Sequence, residues 1–155
     1  MSYENVKQHF QAYNLADRIK ELSTSSATVE LAAAAVGCDV SQIAKTLSFF
    51  VSGKPILIVA AGNVRIDNQK YKAKFIEKPK MIPIAQLQEH IGHTIGGICP
   101  FAIKEGVSVY LDISLKANET IYPAAGSANS VAKLTTAELE RLSAYAEWID
   151  VCKLI

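Results

Sequence analysis

The chain has 155 residues, half of them apolar, and a formal net charge of +1. That length suits a single domain, 1–155, able to bury roughly 70% of the surface its unfolded form would expose, and leaves no room for a second folded unit. The composition excludes a disordered tail and a globally basic nucleic-acid binder, so any RNA contact must come from a local patch. The opening residues Met1-Ser2-Tyr3-Glu4-Asn5 carry neither the basic nor the apolar run of a signal peptide, and no apolar run approaches a membrane span. A soluble, cytoplasmic protein without a membrane partner is therefore expected. Cys38, Cys99 and Cys152 are an odd number at wide separations, which suits neither a disulfide framework nor a zinc site. Reduced thiols, no metal and no cofactor are expected.

In chain order, Val6 to Tyr13 has helical spacing, and Ile19 to Leu22 lead into a strand across the run Ser23 to Ser26. Ser26 or Thr28 can cap a helix through Ala35, with Gly37 as its C-cap and Asp39 or Ser41 starting a short turn that carries Ile43. Lys45 then falls at a helix-to-strand junction. Thr46 to Val51 and Ile56 to Ala61, separated by Ser52-Gly53-Lys54-Pro55, read as a hairpin. Asp67 to Phe75 and Ile84 to His90 read as helices, and Thr94 to Ile98 and Val107 to Leu111 as strands. Gly126 is a turn glycine between strands ending near Pro123 and beginning near Val131. Thr135 or Thr136 caps a late helix to Ser143, with Glu138 in its first turn. Helices and strands interleave irregularly, without repeats or a Gly-rich dinucleotide signature, which argues for a mixed α/β or α+β domain rather than a doubly wound sheet.

Chemistry concentrates in the loop Gly96-Gly97-Ile98-Cys99-Pro100-Phe101. Glycines let main-chain N–H groups approach a ligand, proline holds the turn in one shape, and two such donors could polarise a carbonyl. Cys99 near His93 admits a cysteine hydrolase, although a buried, inert thiol is the commoner outcome. His90-Ile91-Gly92-His93 spells a nucleotide-binding tetrapeptide of class I aminoacyl-tRNA synthetases, but it follows a helix, precedes a strand and lies in too short a chain. Arg65, Lys70, Lys72, Lys74, Lys78 and Lys80 form a dense basic stretch, in which Lys70, Lys74 and Lys78 would share one side if the helix continued that far.

Three segments, Ile43-Ala44-Lys45-Thr46-Leu47, Gly96 to Pro100, and Tyr122 to Ser130 with its Ala125-Gly126 turn, resemble in order and spacing the YbaK/prolyl-tRNA synthetase-associated domain. The resemblance runs from about Ala27 to Leu139 and implies a mixed, partly barrel-like sheet surrounded by helices. It also implies a free-standing deacylase that hydrolyses mischarged aminoacyl-tRNA, with proline tRNA carrying alanine, cysteine or serine as the expected substrate. Under it Lys45 and the amides of Gly97 and Ile98 are the catalytic groups. Thr46, Gly96, Cys99, Pro100, Gly126, Ser127, Asn129 and Ser130 bind substrate, and Lys70, Lys74 and Lys78 contact tRNA phosphates. A prolyl-tRNA synthetase is a second candidate partner, and DNA is not expected. Asn129 and Ala102 stand where related chains often carry His and Gly, which keeps open a non-catalytic module that binds an aminoacyl or nucleotide-like ligand or a synthetase.

Overall fold

The run Ile56 to Ala61 is apolar without alternation, the pattern of a strand that has no face to expose. In the computed structural model, which describes residues 2–155, that run lies in β3 (Lys54–Ala61). It pairs antiparallel with β2 (Ile43–Val51) on one side and parallel with β5 (Ser108–Asp112) on the other. Parallel to β2 lies β6 (Thr120–Pro123), followed antiparallel by β8 (Leu134–Thr135), and β9 (Glu147–Ile149) pairs parallel with β5 at the far edge. The order β8-β6-β2-β3-β5-β9 makes a mixed, curled half-barrel sheet. Two short antiparallel ladders flank it: β1 (Ile19–Glu21) with β7 (Ser130–Ala132), and β4 (Val64–Ile66) with β10 (Cys152–Leu154).

Period-two alternation divides the apolar residues of β3 between two clusters. Leu57 and Val59 join Val109, Leu111 and the helices α1 (Ser2–Gln11), α4 (Leu87–His90) and α5 (Thr136–Ser143). Ile56, Ile58 and Ala60 pack with Phe49, Val151 and Tyr71 of α3 (Asn68–Phe75). Each such side chain withdrawn from water contributes about 1.5–3 kcal/mol. A third, smaller cluster joins Ala32 and Ala33 of α2 (Val29–Val36) to Ile43. Among the described residues no helix is long and apolar enough to cross a membrane.

Local signals for the helix ends hold. The Thr28 hydroxyl accepts from Leu31 N and Gly37 closes α2 in the left-handed region; Thr135 and Glu138 form a capping box on α5. The hairpin turn is tighter than its sequence suggests. Val51 pairs with Lys54, so Ser52 and Gly53 alone make the turn, both with positive φ as a two-residue connection between twisted strands requires. Lys45 is the third residue of β2 rather than a junction residue, because the strand begins at Ile43. Thr94 to Ile98 is not a strand: its residues form an irregular loop closed by Gly97 N donating to Thr94 O (3.1 Å). The two ladder strands β4 and β10 escape sequence reading because each is three residues long.

Asp112 ties the end of β5 to the last part of the chain. Buried at 1% exposure, its carboxylate accepts from Ser114 N (3.0 Å) and Val151 N (2.9 Å). Replacing Asp112 with Ala leaves the buried Val151 N–H and the part-buried Ser114 N–H without their acceptor, and the unfolding free energy is expected to fall by about 3 kcal/mol in urea titrations. A loss within experimental error would mean that water takes over the carboxylate's place.

Candidate active site

The site is a break in the sheet. On the outer edge of β2, β6 pairs only with Ile43 and Ala44. Further along that edge, the segment around Met81 takes over, with Ile82 N donating to Ser48 O (3.1 Å) and Phe50 N donating to Lys80 O (2.9 Å). Ser48 and Phe50 therefore turn their backbone groups outward, and so does Thr46 two residues back, which faces neither β6 nor the Met81 segment. The Thr46 hydroxyl is also buried without a hydrogen-bond partner among the described residues. An interior strand thus presents an unpaired stretch of backbone to a cleft of about 300 Å³.

Three segments close around that gap. β2 contributes Lys45, Thr46 and Ser48; the loop contributes Ile95, Gly96 and Ile98; the returning chain contributes Tyr122, Ala124 and Val131. Of the residues the sequence resemblance picked out, Lys45, Thr46, Gly96 and Ile98 line this one cleft. The resemblance missed the opposite wall, made by Ser26 to Val29 before and in α2 and by Met81, Ile82, Ile84 and Leu87. Met81, Ile84 and Ile95 rim the mouth and are 58–64% exposed. A cluster of large apolar residues in a Pro-flanked, weakly periodic stretch was the available signal.

Lys45 is half-buried and donates from Nζ to the Val64 carbonyl, and burial lowers its pKa from the ordinary lysine value. Its ammonium keeps two further N–H donors. In the loop, the Gly97 amide is engaged by Thr94 O and is not free to hold an oxyanion, whereas the Ile98 N–H meets no protein acceptor among the described residues. Gly97 is needed for packing: a Cβ there would come within 2.7 Å of Gly126 C and Ser127 N. The glycine loop and the Ala-Gly turn therefore touch backbone to backbone, an approach only glycine permits.

Gly126, Ser127, Asn129 and Ser130 do not line the cleft. Ser127 donates to Asn129 Oδ1 (3.0 Å) and shares a hydrogen bond with Ser130 (2.6 Å), while Asn129 Nδ2 donates to Leu22 O (3.3 Å). With Ser26 N donating to Ala128 O (2.7 Å), these residues fasten the turn to the segment that forms the cleft's opposite wall. Pro100 is buried, and Ala102 takes a positive φ of 52°, a conformation that glycine adopts more easily.

Cys99 is fully buried, and burial pushes its thiol up to about 12. His93 Nε2 lies 2.7 Å from the Phe101 carbonyl, which can only accept, so that nitrogen carries the proton and cannot take one from Sγ at 3.5 Å. The other ring nitrogen hydrogen-bonds Ser2 Oγ. The cysteine-hydrolase reading therefore fails on geometry and on thiolate supply. The basic triplet is also divided. Helix α3 stops at Phe75, before Lys78, and Lys70 and Lys74 pair with Asp150 and Glu147. Among the described residues no three His, Cys, Asp or Glu side chains are grouped to hold a metal ion.

A half-barrel sheet broken at one interior strand edge, with a lysine and a glycine loop at the break, defines an editing-domain fold. The chain belongs to the aminoacyl-tRNA editing domain family, whose profile matches residues 24–142. It is 47% identical over 154 residues to the uncharacterized protein YwhH of Bacillus subtilis (strain 168), covering 99% of this chain and 98% of that one. A solved structure described as a candidate trans-editing enzyme for prolyl tRNA synthetase superposes with a TM-score of 0.87 at 25% identity, over 98% of this chain and 97% of that chain. The hypothetical protein APE2540 shares the fold, with a TM-score of 0.85 at 23% identity over 96% of this chain and 99% of its own.

The environment of Cys99 makes a direct expectation. Iodoacetamide at neutral pH should leave Cys99 unlabelled in the native protein and label it once the chain is unfolded in urea, as read by peptide mass spectrometry. Rapid native labelling of Cys99 would show an open, reactive thiol and restore the covalent reading.

Proposed function

We propose that the protein is a free-standing, single-domain aminoacyl-tRNA deacylase, acting in the cytoplasm, that releases a wrongly attached amino acid from tRNA. Proline tRNA carrying alanine, cysteine or serine is the first substrate class to test. The observation that carries this reading is the unpaired edge at Thr46 opening into an apolar cleft beside Lys45. Family membership and the likeness to a candidate trans-editing enzyme support it.

In this reading the amino-acid side chain enters the apolar end of the cleft, among Val29, Ala32 and Ile82, and is sorted by size. The Thr46 backbone carbonyl and hydroxyl receive the substrate's α-amino group, which removes the cost of leaving them unpartnered. Lys45 and the Ile98 N–H, both at the cleft, then offset negative charge developing on the ester carbonyl oxygen. Water adds to that carbonyl, the bond to the ribose oxygen breaks, and the ribose oxygen takes a proton. The products are a free amino acid and tRNA with an intact terminal hydroxyl. Among the described residues no carboxylate or imidazole lines the cleft, so in this reading the water is activated by the substrate's own neighbouring hydroxyl. The same feature favours a second reading, a module that binds aminoacyl-tRNA or a synthetase without turnover.

A panel of mischarged tRNAs separates the two. Release of a small amino acid well above the spontaneous rate, with prolyl-tRNA spared, is expected; binding without acceleration on any member would leave only the module. Lys45→Ala should cut turnover roughly ten- to hundredfold while preserving the melting temperature, since one charge-assisted contact is lost and little packing changes. The lowered pKa sets the sign of the pH dependence. As pH rises the Lys45 ammonium loses its proton earlier than an exposed lysine would, so activity should fall on the alkaline side at a correspondingly lower pH. Folding stability moves the other way: between the lowered pKa and 10.5 the unfolded chain binds more protons, so raising pH favours the folded state through this group. A pH–rate profile flat through that range would remove Lys45 from the reaction.

A further inference from the structure

A second concavity, of about 480 Å³, adjoins the cleft and is lined by residues that include Phe50, Glu77, Lys78, Lys80 and His90. The two hollows share a wall. Lys80 and Met81 are consecutive residues of the segment hydrogen-bonded along β2; Met81 lines the cleft and Lys80 lines the basin. From Thr46 to Phe50 is about 13 Å along the strand. A chain whose end lay at Thr46 would pass over the exposed Met81 side chain into the basin.

The chain is held in this course at a cost. Helix α3 is capped by the next residue, Ile76, with φ 62°, a left-handed conformation that a β-branched residue adopts only under constraint. Immediately after it, the Glu77 carboxylate accepts from Ser52 N (2.8 Å) at the hairpin turn. The strained stop and the clamp together lay Lys78 to Lys80 against the hairpin. Among the described residues neither Lys78 nor Lys80 lies within ion-pair distance of a carboxylate, unlike Lys70 and Lys74. Glu77 is occupied by the hairpin amide, and Glu89 by His90 (3.1 Å). Lys54 adds a further exposed cation at the hairpin tip, and the Phe50 and His90 rings meet edge to face at 5.0 Å.

We propose that this basin binds phosphates of the single-stranded 3′ end of tRNA, just upstream of the ester in the cleft; the inference rests on the deacylase or aminoacyl-tRNA-binding reading above. Two unpaired lysines supply phosphate contacts, and the aromatic pair and Met81 offer apolar surface to unstacked bases, the combination that holds single strands without reading sequence. The basic helix α3 contributes less, since two of its three lysines, Lys70 and Lys74, are paired with Asp150 and Glu147.

The test is a fluorescence-anisotropy titration of uncharged proline tRNA at several salt concentrations, comparing the wild type with the Lys78→Ala/Lys80→Ala variant. Because the tRNA carries no amino acid, the titration reads docking whether or not the protein hydrolyses an ester. The variant should bind about tenfold more weakly, with the slope of log affinity against log salt reduced by about 1.4, as for two contacts to single-stranded phosphates. On tRNA trimmed of its unpaired 3′ nucleotides, wild type and variant should bind alike. Equal affinity and slope on intact tRNA would overturn the proposal, and so would an equal loss on trimmed tRNA, which would place the lysines on the duplex stem. Both lysines are exposed and only the backbone of Lys80 is hydrogen-bonded to β2, so the variant is expected to fold.

Discussion

Strand β3 is buried on both faces, and its neighbours β2 and β5 must satisfy its backbone while helices cover its side chains. The two main clusters of the core follow from meeting those two demands. Leu57 and Val59 draw α1, α4 and α5 to one face; Ile56, Ile58 and Ala60 draw α3 and the terminal segment through Val151 to the other. Asp112 then fastens that terminal segment to the end of β5. A strand so enclosed is costly to displace, because moving it would expose both faces and break two ladders at once.

β2 inherits this rigidity on its inner edge and lacks it on its outer one. β6 covers its start, the Met81 segment covers its end, and the interval at Thr46 is left to the cleft. An unpaired strand edge and a buried, unpartnered hydroxyl suit this position to a ligand with its own donors and acceptors. The surrounding loops are arranged to keep the gap open. Gly97 lets the loop lie directly on the Gly126-Ser127 backbone, Ser127 knits the same turn to Asn129 and Ser130, and Asn129 and the Ala128 carbonyl tie it to Leu22 and Ser26. Several polar residues that resemble ligand-binding groups in sequence are thus braces for the cleft's walls. The rigid inner edge and the braced loops together give Lys45 and the Ile98 amide fixed positions beside an exposed, apolar mouth.

Elements governed by local chemistry could be read from the chain. The Thr28 and Thr135 caps, the Gly37 stop, the hairpin and the unbroken apolar run of β3 each depend on residues within a few positions of one another. Thr94 to Ile98 misleads because β-forming residues flank two glycines, and tight packing of those glycines against the Gly126 turn takes precedence over strand propensity. The strands on either side of the Gly126 turn, ending at Pro123 and beginning near Val131, are legible, whereas the ladder β4/β10 carries no periodic signal at three residues each and exists because distant segments meet edge to edge.

The site divides along the same line. The sequence by itself determined that a lysine, a glycine loop and an Ala-Gly turn recur in one order, enough to resemble an editing domain and to name Lys45, Thr46, Gly96 and Ile98. Only the tertiary structure decided what each group is free to do, since availability depends on partners far away in the chain. Thr94 takes the Gly97 amide, Phe101 holds the His93 proton, and Asp150 and Glu147 neutralise Lys70 and Lys74, whereas Thr46 is left open because two neighbouring segments stop short of it. Hydrogen bonds and ion pairs are satisfied in space, and a sequence records which groups exist without recording which of them are already taken.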